Sequence, residues 1–243
     1  MAPCQMPCCW VVGASPTVSA EVGSMSLQIG LGSRIRKSPF HDALMRHGLT
    51  HVTVYNHMYM PGSFGDPDEE YRALVERVSL WDVACERQVE VTGPDAEALC
   101  QYVSARDLRG MKVGRVRYAP MCNHDGVLIN DPMALKLAED RWWLSIADSD
   151  VLLWCQAVAA EHKFDCHVFE PDVSPLGVQG PMADNTMSDL LGDWVREIPF
   201  FAFKEVEYAG IPFVLCRSGW SGQGGFELFL QDSNRSYYLV KAF

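Results

Sequence analysis

The sequence predicts an α+β fold made of two similar units of the split β-α-β kind, and three observations carry that prediction. The stretch "VEVTGPDAEAL" (Val89 to Leu99) matches "LGVQGPMADNT" (Leu176 to Thr186). Val91, Gly93, Pro94 and Ala96 stand opposite Val178, Gly180, Pro181 and Ala183, an offset of 87 residues. In both copies an apolar segment of period two runs into Gly-Pro and then a helical pattern, and proline suits a first helical turn because its missing N–H is no loss there. The order of elements that follows is also the same in both: strand, helix, several antiparallel strands, helix.

Taken in order, the first copy continues from its helix into a strand-like "GRVRYAPM", a turn "NHDG", and the run "VLIN-DP-MALKL". The turn "AEDR" leads to a strand "WWLSI" and a helix from about Asp148 to Lys163. The second copy continues into "FFAFKEVEY", a turn at Ala209-Gly210, "IPFVLCRS", a glycine-rich stretch, and "FELFL", with a last helix beginning near Tyr237. The repeat is expected to span 88–165 and 174–243, inside one domain from 33 to 243. Residues 1–33 contain no Lys or Arg, which excludes the basic part of a signal or transit peptide. Residues 1–32 read as a poorly ordered extension, with Met25 as an alternative start. The chain ends at Phe243 inside an apparent helix without a cap, which reads as a truncation.

With 243 residues the chain can bury a substantial core. Its formal net charge of −11 argues against a nucleic-acid partner, because a phosphate backbone needs a basic face. The longest apolar stretch, "VLLWCQAVAA", is too short to span a bilayer, so no membrane partner is expected. The odd number of cysteines, nine in all and without zinc or redox spacing, fits a reducing compartment: cytoplasmic, or mitochondrial as the alternative. No metal constellation stands out, since His41, His47, His51 and His57 are dispersed.

Several polar residues interrupt apolar runs. In "FELFL" alternation puts Phe226, Leu228 and Leu230 on one face and Glu227 and Phe229 on the other. Glu227 has two readings: a solvent-facing acid paired with a neighbouring strand, or a carboxylate offering two coplanar acceptors to a ring with two adjacent N–H donors. The preceding "GQGG" matches neither the dinucleotide fingerprint nor a phosphate loop. Asn130-Asp131 stands between two apolar runs and precedes a proline that cannot join a sheet ladder, so the pair either shapes a kink or holds an acid at a cavity. In "WDVACERQVEV", Glu86 and Arg87 are accounted for by an ordinary ion pair. Tyr118, Trp142, Trp143 and Trp220 are candidates for an aromatic wall or a stacking face, the alternative being that most are core.

The blocks "VQGP", "RSGWSGQGGFEL", "GVLINDP" and "WDVACERQVEV" resemble the folate-binding part of the glycine-cleavage T-protein family. "RIRKSPF", "TVYNHMYMP", "WWLSIADSD" and "EPDVSPLGVQGP" are similar to its dimethylsulfoniopropionate demethylase-like branch. The resemblance runs from about Ser33 to Phe243. It implies two ferredoxin-like lobes that meet a C-terminal barrel, the barrel being absent from this sequence, and tetrahydrofolate as the cofactor. By that resemblance Glu227 grips the pterin amino edge, Tyr118 and Trp220 line the folate pocket with Asn130, and Asp131 is the acid beside the reactive nitrogen. T proteins carry two consecutive acids where this chain has Asn130-Asp131, and Ser-His-Met near "CERQ". The activity implied is methyl transfer from a sulfonium donor to tetrahydrofolate. The alternatives are aminomethyl transfer from a lipoyl carrier protein and folate binding without turnover.

Overall fold

The computed structural model describes residues 32 and 34–243, so the expected N-terminal extension, with Met25, lies outside the described residues apart from Gly32. Along the chain run α1 (His41–Arg46), β1 (His51–Tyr55), β2 (Met58–Ser63), α2 (Pro67–Glu76), β3 (Ser79–Asp82), β4 (Gln88–Thr92) and α3 (Ala96–Val103). There follow β5 (Val116–Tyr118), β6 (Met121–Cys122), β7 (Leu128–Asn130), β8 (Met133–Ala138), β9 (Arg141–Ser145), α4 (Val151–His162) and β10 (His167–Phe169). The chain closes with β11 (Ser174–Gln179), α5 (Ala183–Leu191), β12 (Phe203–Tyr208), β13 (Ile211–Cys216), β14 (Gly225–Leu230) and α6 (Ser236–Lys241).

Two five-stranded antiparallel sheets dominate, in the orders β10-β4-β9-β8-β5 and β3-β11-β14-β13-β12. Position by position these are the same sheet twice. The edge strand differs in origin: β10 follows the first unit with α4, whereas β3 precedes the second unit with α2. The offset of 87 recurs in the contacts that hold these edges. Gly93 (φ 122°) brings its Cα so close to the α4–β10 turn that a Cβ would lie 2.8 Å from the Asp165 carbonyl oxygen. Gly180 (φ 131°) does the same at the α2–β3 turn, 2.6 Å from the Arg77 carbonyl oxygen. Asp95 N–H donates to Asp165 O at 3.1 Å, and Met182 N–H to Arg77 O at 2.9 Å. These positive φ angles and close approaches are available to glycine alone at no steric cost.

Each sheet buries both faces. Leu135 and Trp143 of the first pack against Val214, Cys216 and Phe229 of the second, so the sheets meet face to face. On the outer faces, Val89, Val91 and Leu144 pack on α3 and α4, and Leu176, Phe226 and Leu228 on α5. The alternation expected in "FELFL" holds: Phe226, Leu228 and Leu230 join the helix-side core and Phe229 the core between the sheets. The run "FFAFKEVEY" becomes a strand only from Phe203. Phe201 adopts φ 56°, its carbonyl accepting from Val116 N–H at 3.0 Å while Phe203 N–H donates to Gly114 O at 3.0 Å, which ties the β5 edge to the second unit.

The period-two argument gives no reading for β1, β2, β3 or β10, which the structure supplies. β1 and β2 form a hairpin around Asn56 and His57, both with positive φ (53° and 60°), the pair of left-handed residues that two-residue hairpin turns use. No described helix is long and apolar enough to cross a membrane.

Candidate functional site

Cross-strand register fixes which side chains share a face, since residues directly opposite each other in neighbouring strands point to the same side. In the second sheet one such row reads Trp81, Gly177, Glu227, Cys216, Phe203. It faces the first sheet, because Cys216 and Phe203 belong to the core between the two. Glu227 is 3% exposed. A short hydrogen bond from the Ser218 hydroxyl reaches its Oε2. The solvent-facing reading of Glu227 is therefore wrong. Burial pushes its carboxyl above the usual range, and the Ser218 bond opposes that rise.

The equivalent row of the first sheet reads Phe169, Glu90, Trp143, Leu135, Val116. There the interior is filled. Glu90 accepts from Trp143 Nε1 at 2.8 Å and from Arg141 Nε at 2.7 Å. Where the first sheet has Glu90, the second has Gly177, with no side chain. Trp81 Nε1 is buried without a hydrogen-bond partner, as is Ser79 Oγ on the same face of β3. Among the described residues, the second unit thus has a position without a side chain, and an unanswered donor, beside its row's carboxylate.

Tyr118 ends the row Gln88, Ser145, Met133, Tyr118 of the first sheet. It is 41% exposed, and its ring meets Phe201 edge-on at 5.1 Å. Burial, and then the charges of Glu227, Asp131 and Glu86, raise its phenol. Asp131 sits where β7 gives way to β8: β7 pairs with β6 and β8 with β5 and β9, so the chain changes partners at Asp131-Pro132. Proline contributes no N–H, and the kink expected there is present.

Trp220 is 46% exposed and meets Trp81 edge-on at 5.3 Å. The glycine-rich stretch carrying it is braced by Gln179, whose Nε2 donates to Ser218 O at 3.2 Å and whose Oε1 accepts from Ser221 Oγ at 2.8 Å. Asn130 is 4% exposed and its amide is occupied. It donates to Ala147 O at 3.0 Å and Ser149 Oγ at 2.7 Å and accepts from Ala147 N–H at 3.0 Å. Its side chain fixes the loop after β9. Asn56 supports the same loop, its N–H donating to Asp148 Oδ1 at 2.7 Å.

Two aromatic and charge expectations fail. Trp143 is fully buried between the sheets, against Phe229 at 6.1 Å, and forms no wall. Glu86 does not pair with Arg87. Arg87 bonds Glu170 through both Nε and Nη2, and Glu170 also takes Arg36 at 2.9 Å. Glu86 instead lies near enough to Glu227 and Asp131 to feel both charges, and burial with this repulsion pushes its carboxyl up to about 8. Tyr55, on β1, has its phenol raised beyond the ordinary range by burial and then by Glu86. Sequence reading passed over Glu86 because an adjacent arginine offered a simpler partner. A cleft of about 650 Å³ lined by Arg36, Arg87, Glu170 and Ser174 contains none of the three acids. The charges of Arg87 and Glu170 are already satisfied there, whereas the unanswered Trp81 Nε1 lies on the row of Glu227. No group of metal ligands occurs among the described residues.

The fold is that of a T protein, and the comparisons place the chain in that class. The GCVT N-terminal domain model matches residues 40–241, so the chain belongs to the glycine-cleavage T-protein family. It is 45% identical over 209 residues to the dimethylsulfoniopropionate demethylase DmdA of Ruegeria pomeroyi, covering 86% of this chain and 57% of that protein. It is 30% identical over 210 residues to the aminomethyltransferase of Symbiobacterium thermophilum, covering 83% and 56%. The crystal structure of the glycine cleavage system aminomethyltransferase T from Bartonella henselae has the same fold, with a TM-score of 0.75 at 22% identity, over 86% of this chain and 56% of that one. The chain thus spans about half the length of the curated relatives it matches.

Proposed function

We propose that this chain is the folate-binding part of a tetrahydrofolate-dependent one-carbon transferase whose donor is a methyl sulfonium such as dimethylsulfoniopropionate. One observation carries the reading: a buried carboxylate, Glu227, beside the side-chain-free position of Gly177 and the unanswered indole N–H of Trp81. A reduced pterin fits these groups, because its amino edge offers two donors to Glu227 and its ring carries acceptors for Trp81. The 45% identity to DmdA supports a sulfonium donor.

Tetrahydrofolate, when bound, would supply the nucleophilic nitrogen that accepts the methyl group, the electron pair of the broken sulfur–carbon bond remaining on sulfur. Glu227 orients the ring, held in turn by Ser218. Asp131 would accept the proton released from the folate nitrogen. Tyr118 and Trp220, both partly exposed, border the ring and the cation. Asn130 acts by holding the loop after β9. Alignment of the reacting atoms supplies much of the rate, as expected for a displacement with a good leaving group.

The second reading, favoured by the 30% identity to an aminomethyltransferase, is aminomethyl transfer to tetrahydrofolate, with a lipoyl carrier protein as partner. Product analysis separates them: methyl-tetrahydrofolate from dimethylsulfoniopropionate supports the first, and methylene-tetrahydrofolate with ammonia the second. Folate binding with neither product leaves a binding module. Asp131→Asn is expected to bind folate with normal affinity and to lose turnover; full turnover removes Asp131 from its role.

A further inference from the structure

Gln88 is the first residue of β4, and a turn over residues 83–87 joins it to β3 of the second sheet. The turn is closed by Glu86 N–H donating to Val83 O at 2.8 Å. Trp81 and Gln88 therefore stand near the two ends of one short crossover between facing sheets, which pack about 10 Å apart. Gln88 is 1% exposed, and register puts it in one row with Ser145, Met133 and Tyr118. Met133 belongs to the core between the sheets, so this row faces the second sheet. Trp81 faces it from the other side, in the row of Gly177, Glu227 and Cys216.

The amide of Gln88 is held in one orientation. Its Nε2 donates to Glu86 O at 2.7 Å and to Ser145 Oγ at 2.9 Å. A backbone carbonyl only accepts, so nitrogen has to be the atom on that side and oxygen the atom on the other. Oε1, fixed in this way, has no donor among the described residues. On the facing sheet Trp81 Nε1 has no acceptor, so the two do not answer each other. Buried polar atoms left so are costly unless a bound molecule completes them. That molecule has to bring an N–H to the first sheet and a lone pair to the second, besides the donors that Glu227 takes.

We infer that Gln88 is a specificity residue for the oxidation state of the folate ring, its Oε1 accepting from the N8–H that reduced pterins carry and folic acid lacks. The inference rests on the folate reading above. In a pterin the 2-amino group and N3–H form the edge with two donors, and N1 and N8 follow next around the ring. Trp81 Nε1 then donates to the N1 lone pair while Gln88 accepts from N8–H, so neighbouring ring atoms complete both buried groups. In folic acid N8 carries a lone pair in place of the hydrogen, and that lone pair faces the one on Oε1. The contact leaves an unmet acceptor and a repulsion where the reduced ring makes a hydrogen bond. Gln88 thereby holds the ring by an atom that takes no part in methyl transfer, and the reacting nitrogen stays free.

The test is calorimetric titration of the full chain with folic acid and with 7,8-dihydrofolate, whose rings differ only at N8 and C7. The parent is expected to bind dihydrofolate at least about tenfold more tightly. Gln88→Met, which keeps the length and removes the acceptor, is expected to cut that preference to about twofold or less. Equal affinity of the parent for both ligands overturns the inference and leaves the folate reading standing. So does a Gln88→Met variant that weakens both ligands by the same factor, which is what a purely structural glutamine would do. A parent that binds neither ligand refutes the folate reading, and the inference with it. Should Gln88→Met not fold, the parent alone decides, with tetrahydrofolate against its 8-deaza analogue, in which a methylene replaces N8–H. A loss of at least about tenfold for the analogue upholds the role of Gln88, and equal affinity overturns it.

Discussion

Replacing Glu86 by glutamine makes a stability prediction that needs no ligand. Burial and the charges of Glu227 and Asp131 lift its carboxyl from the ordinary 4.5 to about 8. Between those two values the folded chain holds a proton at Glu86 that the unfolded chain does not. Stability therefore falls as pH rises through that window, and the loss is complete above it. Each unit is worth about 1.4 kcal/mol, so by pH 7 the parent has given up on the order of 3 kcal/mol at this one group. Glutamine has no proton to hold. The two proteins should be equally stable below about pH 4.5, with Glu86→Gln ahead by roughly 3–4 kcal/mol at pH 7 to 8, a midpoint shift on the order of 10 °C. Burial also lifts Asp82, to about 6, but that contribution is common to both proteins and cancels in the difference. Urea unfolding followed by tryptophan fluorescence, across about pH 5 to about pH 8, measures the gap. A gap independent of pH, or a variant less stable than the parent at pH 8, refutes the argument that this partly buried acid is desolvated among like charges.

Three further outcomes follow from the geometry. Gly93→Ala and Gly180→Ala should each cost about 2 kcal/mol or more, since a Cβ meets backbone oxygen at 2.8 and 2.6 Å on left-handed backbone; thermal unfolding of both measures it, and a neutral result at either removes the close approach there. Gly177→Ala, whose Cβ meets Trp81 Cβ at an ordinary 3.5 Å, should fold normally, while Gly177→Leu fills the gap beside Glu227 and should lower folic acid affinity by at least about tenfold; unchanged affinity means the gap is not the ring's seat. Ser218→Ala strips Glu227 of the side-chain hydrogen bond it has among the described residues and should weaken folic acid binding by roughly tenfold to a hundredfold with the fold intact, read by fluorescence titration.

The sequence by itself determined what neighbours along the chain determine. The alternation of "FELFL" assigned Phe226 and Glu227 to opposite faces, the Gly-Pro steps at 93 and 180 marked two matching strand-to-helix junctions, and Pro132 marked the break between β7 and β8. Each of these is a local property of period, φ preference or a missing N–H, so it is written in a few consecutive residues. Tertiary structure decided what depends on partners far away. Arg87 is beside Glu86 in sequence but meets Glu170, leaving Glu86 to face Glu227 and Asp131; Trp143 looks like an exposed aromatic until a second sheet covers it. Asn130 spends its amide on the loop at Ala147, and the second sheet takes its edge strand from a segment that precedes it. Period places a side chain on a face, but the packing of two sheets decides what that face meets, and only that meeting sets burial, charge and the room left for a ligand.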